Sequence, residues 1–192
     1  RQMCIRDRAG DGRSSDVQET YIRISGGTLT IINETGQDAD GLDSNGSVYI
    51  DGGDIRISLL GYGSNCAIDY GSESGGECIV TGGTILAFGG SDMAEEFSSN
   101  STQCSVLYNI GSLAQADTTF SVLDANGDEI ISYTPVCSYS SIAFSSPDMT
   151  LGGTYTIAYG DSSTEITMES VAVSVGNSGG MGGMPSGGGM GE

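Results

Sequence analysis

Three Gly-Gly pairs, Gly26-Gly27, Gly52-Gly53 and Gly82-Gly83, recur at spacings of 26 and 30 residues, and their flanks recur in register with them. Two residues before each pair stand Ile24, Ile50 and Val80, and four before stand Ile22, Val48 and Cys78. Beyond the pairs come Leu29, Ile55 and Ile85, then Ile31, Ile57 and Ala87. Ser25, Asp51 and Thr81, and Thr28, Asp54 and Thr84, fill the alternate positions. This is the period-two pattern of strands with one buried face. Each repeat therefore reads as strand, Gly-Gly corner, strand, the corner calling for a backbone conformation that glycine adopts without steric cost. A unit this short cannot bury its own apolar stripe and must stack on neighbours at a strand spacing of about 4.8 Å.

An antiparallel sandwich also uses short strands and Gly turns. It gives no reason for like side chains to recur in columns, whereas a parallel β-helix sets them directly above one another. The expected fold is thus all-β, a parallel β-helix. Composition agrees: 32 glycines suit many tight turns, and Ala, Leu, Glu and Lys are too scarce for long helices. At 192 residues the chain fits one domain.

The register fades after Phe88. Thr119 to Leu123 and Ile130 to Tyr133, joined by Asp124 to Glu129, read as an antiparallel hairpin. Asp124, Asn126 and Asp128 have the opening spacing of a calcium loop, but Glu129 replaces the turn glycine and Pro135 the bidentate glutamate, so a plain turn is expected. Residues 104–175 are expected to form irregular β structure covering one end of the coils, within a domain spanning 9–175. Residues 1–8, which hold half of all positive charges and match nothing downstream, read as a non-native segment and fail as a signal peptide. The Gly/Met-rich stretch 176–192, with nine Gly in seventeen residues, is expected to be disordered. Four cysteines remain besides Cys4, and they permit three pairings among which the sequence does not choose.

Twenty-five Asp and Glu against six Arg, with no Lys or His, give a formal net charge of -19. Nucleic acid is excluded as a partner by this field. No apolar run approaches the roughly 18 residues of a membrane span. Acidic polymers would be repelled unless cations intervene.

The acids are not scattered evenly. DADGLDSNG, at Asp38 to Gly46, is followed 26 residues later by CAIDYG at Cys66 to Gly71, which sets Leu42 beside Ile68 and Asp43 beside Asp69. Two ionised carboxylates about 5 Å apart at an effective dielectric near 20 repel by roughly 3 kcal/mol. A proton held at raised pKa or a cation between them would offset this. Oxygen donors with Asn45 nearby suit Ca²⁺. The bland alternative, Asp and Asn as solvated turn formers, stays open. An earlier segment, AGDGRSS, lies 29 residues before the same motif, but its Arg13 and Ser14 stand where an aliphatic and an acid are expected. Tyr49, Tyr62 and Tyr70 are either platforms for sugar rings or half-buried strand aromatics.

The GG-centred strands, DGLDSNG at Asp40 to Gly46, AID at Ala67 to Asp69 and SSPDMTLGGTYTI at Ser145 to Ile157 resemble a family of bacterial, largely clostridial, carbohydrate-binding proteins, over roughly Ala9 to Gly160. The resemblance implies a secreted or surface-attached right-handed parallel β-helix that binds calcium, acidic sugars such as polygalacturonate, and cellulose without cleaving them. It places Asp40, Asp43 and Asp69 at the calcium site; Asn45, from the donor chemistry above, joins them, and Tyr70 and Tyr62 are the ligand-binding candidates. The rival readings are a structural adhesin or stalk and a pectin-active glycoside hydrolase fragment. Paired carboxylates are the hydrolase's minimum, but a chain without His or Lys lacks the other groups of pectin enzymes, so a non-enzymatic role is expected. Oligomeric state is not legible in the sequence.

Overall fold

The computed structural model describes the backbone of residues 5–8 and the whole of residues 20–36 and 38–176. The sequence readings for Asp11 to Ser14 and for 177–192 lie outside these described residues. Thirteen strands are present among them: β1 (Ile5–Arg8), β2 (Tyr21–Asn33), β3 (Leu42–Ser44), β4 (Ser47–Leu59), β5 (Ile68–Tyr70), β6 (Cys78–Gly89), β7 (Ser105–Ala114), β8 (Phe120–Leu123), β9 (Glu129–Tyr133), β10 (Tyr139–Ser145), β11 (Thr154–Tyr159), β12 (Ser162–Thr167) and β13 (Ala172–Val175). The one helical element described is a 3-10 turn at Ser72–Ser74. The chain is therefore all-β.

The strands make three sheets: seven in the order β1-β2-β4-β6-β10-β7-β13, four in the order β12-β11-β8-β9, and the pair β3-β5. Strands β2, β4 and β6 are parallel, and their register is that of the sequence columns. Ile24 lies beside Ile50 and Ile50 beside Val80; Leu29, Ile55 and Ile85 align in the same way. Each long strand bends at its glycine pair, where the register shifts. The second glycine of each pair takes a positive φ, 89° at Gly27, 105° at Gly53 and 93° at Gly83.

The room left for a side chain differs from one pair to the next. A Cβ on Gly83 would meet the Gly52 carbonyl carbon and the Gly53 oxygen at 2.8 Å, both backbone atoms of the neighbouring strand, whereas one on Gly26 meets nothing within 4 Å. Gly83→Ala should destabilise the protein by about 2 kcal/mol, from the left-handed backbone and the displaced neighbour together. Gly26→Ala should stay within about 0.5 kcal/mol of wild type. Urea denaturation of both variants checks this, and equal losses would contradict it.

The expected parallel order holds for β2, β4 and β6, but the seven-stranded sheet to which they belong is mixed. Strand β10 pairs antiparallel with both β6 and β7, and β13 joins β7 in parallel. The free edge of the last long parallel strand is thereby covered by β10. At the opposite edge β1 pairs antiparallel with β2, from Ile5 beside Ile24 to Arg8 beside Tyr21, so residues 5–8 join the sheet although the sequence reading set them aside. The hairpin read from Thr119 to Tyr133 is β8 and β9, with Phe120 opposite Tyr133. Its turn is held by the Asp124 carboxylate, which accepts the N–H groups of Asn126 at 2.8 Å and Asp128 at 2.9 Å. Those bonds account for the turn without an ion.

Two cores result, one on each face of the large sheet. Ile24, Ile50, Val80, Ile55, Ile57 and Ile85 point to one side, where Leu42 and Ile68 of β3 and β5 close over them. Leu86 and Phe88 point to the other and meet Phe120, Val122, Ile157 and Ile166 of the four-stranded sheet. Arg56, in the same outward row as Leu86, is covered by the Tyr133 ring 5.8 Å from its guanidinium carbon and pairs with Asp54 at 2.8 Å. Cys66, Cys78, Cys104 and Cys137 are free thiols, all buried. Among the described residues no helix is long and apolar enough to cross a membrane.

A candidate carboxylate groove

The groove is built on the smallest sheet. In β3 and β5 the residues pair in parallel as Leu42 with Ile68, Asp43 with Asp69, and Ser44 with Tyr70. Period two then does the sorting. Leu42 and Ile68 enter the core while Asp43 is exposed and Asp69 half-buried on the outer side. The stacking inferred from the 26-residue spacing is thus present at the residues that matter for charge.

Several polar contacts hold the two segments in this register. Asn65 is buried, and its side chain donates to the carbonyls of Gly36 and Leu60 at 3.1 Å each and accepts the Ala39 N–H at 2.9 Å. Its side chain thus ties the turn before β3 to the end of β4. The Asp40 carboxylate accepts the Cys66 N–H at 2.9 Å, tying the start of one segment to the start of the next. Glycines let the turns after the strands stack closely. A Cβ on Gly46 would sit 1.9 Å from the Thr20 carbonyl oxygen, and one on Gly71 2.5 Å from that of Asn45.

Beside this pair lies a groove of about 360 Å³ lined by Asp43, Ser44, Asn45, Asp69, Tyr70, Gly71, Ser72, Glu73, Met93 and Glu95. No Arg lines it. Arg23 is engaged elsewhere, with Asp51 at 2.6 Å and the Tyr49 ring at 5.5 Å on the outer face of the long strands. The carboxylates therefore face one another with no cation from the described residues beside them. Burial, and then the charges of Asp40, Glu95, Asp43 and Glu73, push the Asp69 carboxyl up to about 6. Asp40 is also raised, by burial first and by Asp43 and Asp38, against the lowering effect of its bond from Cys66.

Of the residues selected from sequence, Asp43, Asn45, Asp69 and Tyr70 line the groove together. Tyr70 is 9% exposed, and its hydroxyl donates to the Glu96 carbonyl at 2.6 Å, so its ring anchors β5 at the groove wall. Asp40 is not among the lining residues and spends an oxygen on Cys66. Tyr62 is 47% exposed but also stands outside the groove lining. Tyr49 is the half-buried strand aromatic, edge-on to Tyr21 at 5.9 Å.

Sequence reasoning missed Glu95. It follows Asp69 by the same 26 residues that separate Asp69 from Asp43, and Ala94 follows Ile68 in step. Ala94 packs against the same core as Leu42 and Ile68. The column of three acids was thus visible by spacing. The usual signal, an aliphatic in the core position, had shrunk to alanine.

The donor set is all oxygen, which fits a hard cation such as Ca²⁺. Among the described residues, however, no three carboxylates, thiols or imidazoles converge into a ligand cage. Asp43 and Asp69 would hold one side of an ion, and the remaining positions would fall to water or to a ligand. No family model matches the chain, no curated protein is similar to it, and no solved structure matches its fold.

Proposed function

We propose that the chain is a secreted or surface-attached binding module for acidic polysaccharide, that its stacked coils form a short right-handed parallel β-helix, and that calcium held by Asp43 and Asp69 bridges protein and sugar. The reading rests on Asp43 and Asp69 standing side by side on the outer face of a parallel pair, in a groove lined, among the described residues, by four carboxylates and no cation. Asp43 and Asp69 would hold the ion, with Asn45 and its neighbouring turn carbonyls close by. Once bound, the ion supplies positive charge and open coordination positions for uronate carboxylates and hydroxyls. The net charge of -19 then ceases to be an obstacle to an anionic partner. The resemblance read from the sequence motifs points the same way and extends it to cellulose.

Binding without cleavage is the second half of the proposal. A glycosidase sets its acid and its base or nucleophile on opposite sides of the scissile bond. Asp43 and Asp69 instead project from the same face of adjacent parallel strands. That arrangement suits a shared ligand better than attack from two sides.

The test is retention on polygalacturonate measured by isothermal titration, in millimolar calcium and again in excess chelator. Binding in calcium and at least a tenfold loss in chelator are expected. Undiminished affinity in chelator refutes the bridge, and release of reducing ends from polygalacturonate refutes the non-enzymatic reading.

A further inference from the structure

Strand β5 has β3 on one side, and on the other side the chain passes through residues 93–97 without forming a strand. The backbone groups on that edge still need partners, because a buried N–H left unpaired is strongly disfavoured. The Tyr70 N–H finds its acceptor in a side chain. It donates to Glu95 Oε2 at 2.7 Å, and the Ser72 hydroxyl donates to Glu95 Oε1. The Tyr70 hydroxyl reaches the Glu96 carbonyl at 2.6 Å. Ala94, one residue earlier, is partly buried and packs against the core that holds Leu42 and Ile68. One carboxylate thus meets a strand and the turn that follows it, both through charge-assisted bonds.

We propose that Glu95 is a strand surrogate: its carboxylate occupies the acceptor position of an absent third strand, ends the β3–β5 sheet, and so fixes the backbone that presents Asp69 beside Asp43. Glu95 is on this account a positioning residue. Both of its oxygens are committed to protein donors, which separates it from Asp43 and Asp69. A side chain that ends a sheet also blocks the edge against pairing with another chain. The consequence for cation binding rests on the function proposed above, whereas the cap itself does not.

Amide hydrogen exchange at Tyr70, referenced to the amide of Ile85 in the central sheet, tests the cap in the full chain without any ligand. Glu95→Ala should speed exchange at Tyr70 at least tenfold relative to Ile85. Glu95→Gln should stay within about threefold of wild type, since its amide oxygen remains an acceptor. Unchanged exchange in Glu95→Ala, or equal acceleration in both variants, overturns the proposal. Should Glu95→Ala fail to fold, Ser72→Ala serves in its place, with a two- to fivefold acceleration expected and none overturning it. Calorimetric titration with calcium alone separates positioning from ligation. Glu95→Ala should weaken binding at least tenfold and Glu95→Gln clearly less. Equal loss in both, with the Tyr70 amide still protected in Glu95→Gln, would make Glu95 a ligand and overturn the positioning role. A wild type that binds no calcium would sink the proposed function and leave the Tyr70 amide to decide the cap.

Discussion

Phe88→Ala should cost about 4 kcal/mol and lower the melting temperature by roughly 8–16 °C. Phe88 is fully buried and lies on the outward face of β6, where the four-stranded sheet docks. Its ring meets Phe120 edge-on at 5.6 Å, Tyr139 edge-on at 5.0 Å and Tyr133 at 5.7 Å. Truncation removes one ring from all three contacts and leaves a cavity whose walls belong to three different strands, β8, β9 and β10. Such walls are braced by separate hydrogen-bond ladders and relax inward poorly. The loss should therefore fall at the high end for an aromatic, with each lost edge-on pair adding about 0.5–1.5 kcal/mol. Amide exchange should accelerate first in β8, β9 and β11 and leave β2 and β4 protected, because the inner core is lined by the other face of the sheet. A loss below about 1 kcal/mol, or uniform acceleration across both sheets, would show that Phe88 does not join the two layers.

The same residue marks where the sequence stopped being readable. From Ile22 to Ile57 each long strand alternates aliphatic and polar, so spacing alone gave register, corner and buried face, and Asp43 beside Asp69 followed from the same translation. In β6 the alternation gives way to an unbroken apolar run, Ile85 to Phe88, because both faces of the sheet are covered there. A strand buried on two sides carries no period. What reads as a fading repeat is the place where a second layer docks. The partners of β6 were equally hidden: β10 comes about 50 residues later and runs antiparallel, and pairing at such distance leaves no local trace. Only the tight hairpin of β8 and β9 announced itself, through the turn chemistry of Asp124 to Glu129. At the groove, legibility failed in two ways. Glu95 was obscured because Ala94 is a weak core marker, and Tyr70 stayed open between sugar platform and strand aromatic although, in the pleat of β5, it alternates with outward Asp69 and turns inward.

Asp69→Asn should reverse its effect on stability when calcium is added. In chelator at pH 7 the variant should be the more stable protein by about 1 kcal/mol. Burial and neighbouring charge push the Asp69 carboxyl from its ordinary 3.8 up to about 6 in the folded chain. Between these two values the native state holds more protons than the unfolded one, so native stability falls as pH rises from about 4 to about 6 and stays lower above. Nominally this amounts to ~3 kcal/mol, and solvent screening at a partly exposed carboxylate reduces it to about 1. The amide keeps the shape of the side chain and loses the charge, so the advantage of the variant should open across that pH window and vanish below about pH 4. Calcium changes the order. An ion at a hundred times its dissociation constant stabilises the form that binds it by about 2.7 kcal/mol, and the variant would forfeit most of that together with a ligand charge. Thermal melts of both proteins, in chelator and in calcium, at about pH 4 and pH 7, give the four comparisons needed. Wild type ahead in chelator at pH 7 would mean that the groove carries no charge strain, and equal stabilisation of both proteins by calcium would place the ion away from Asp69.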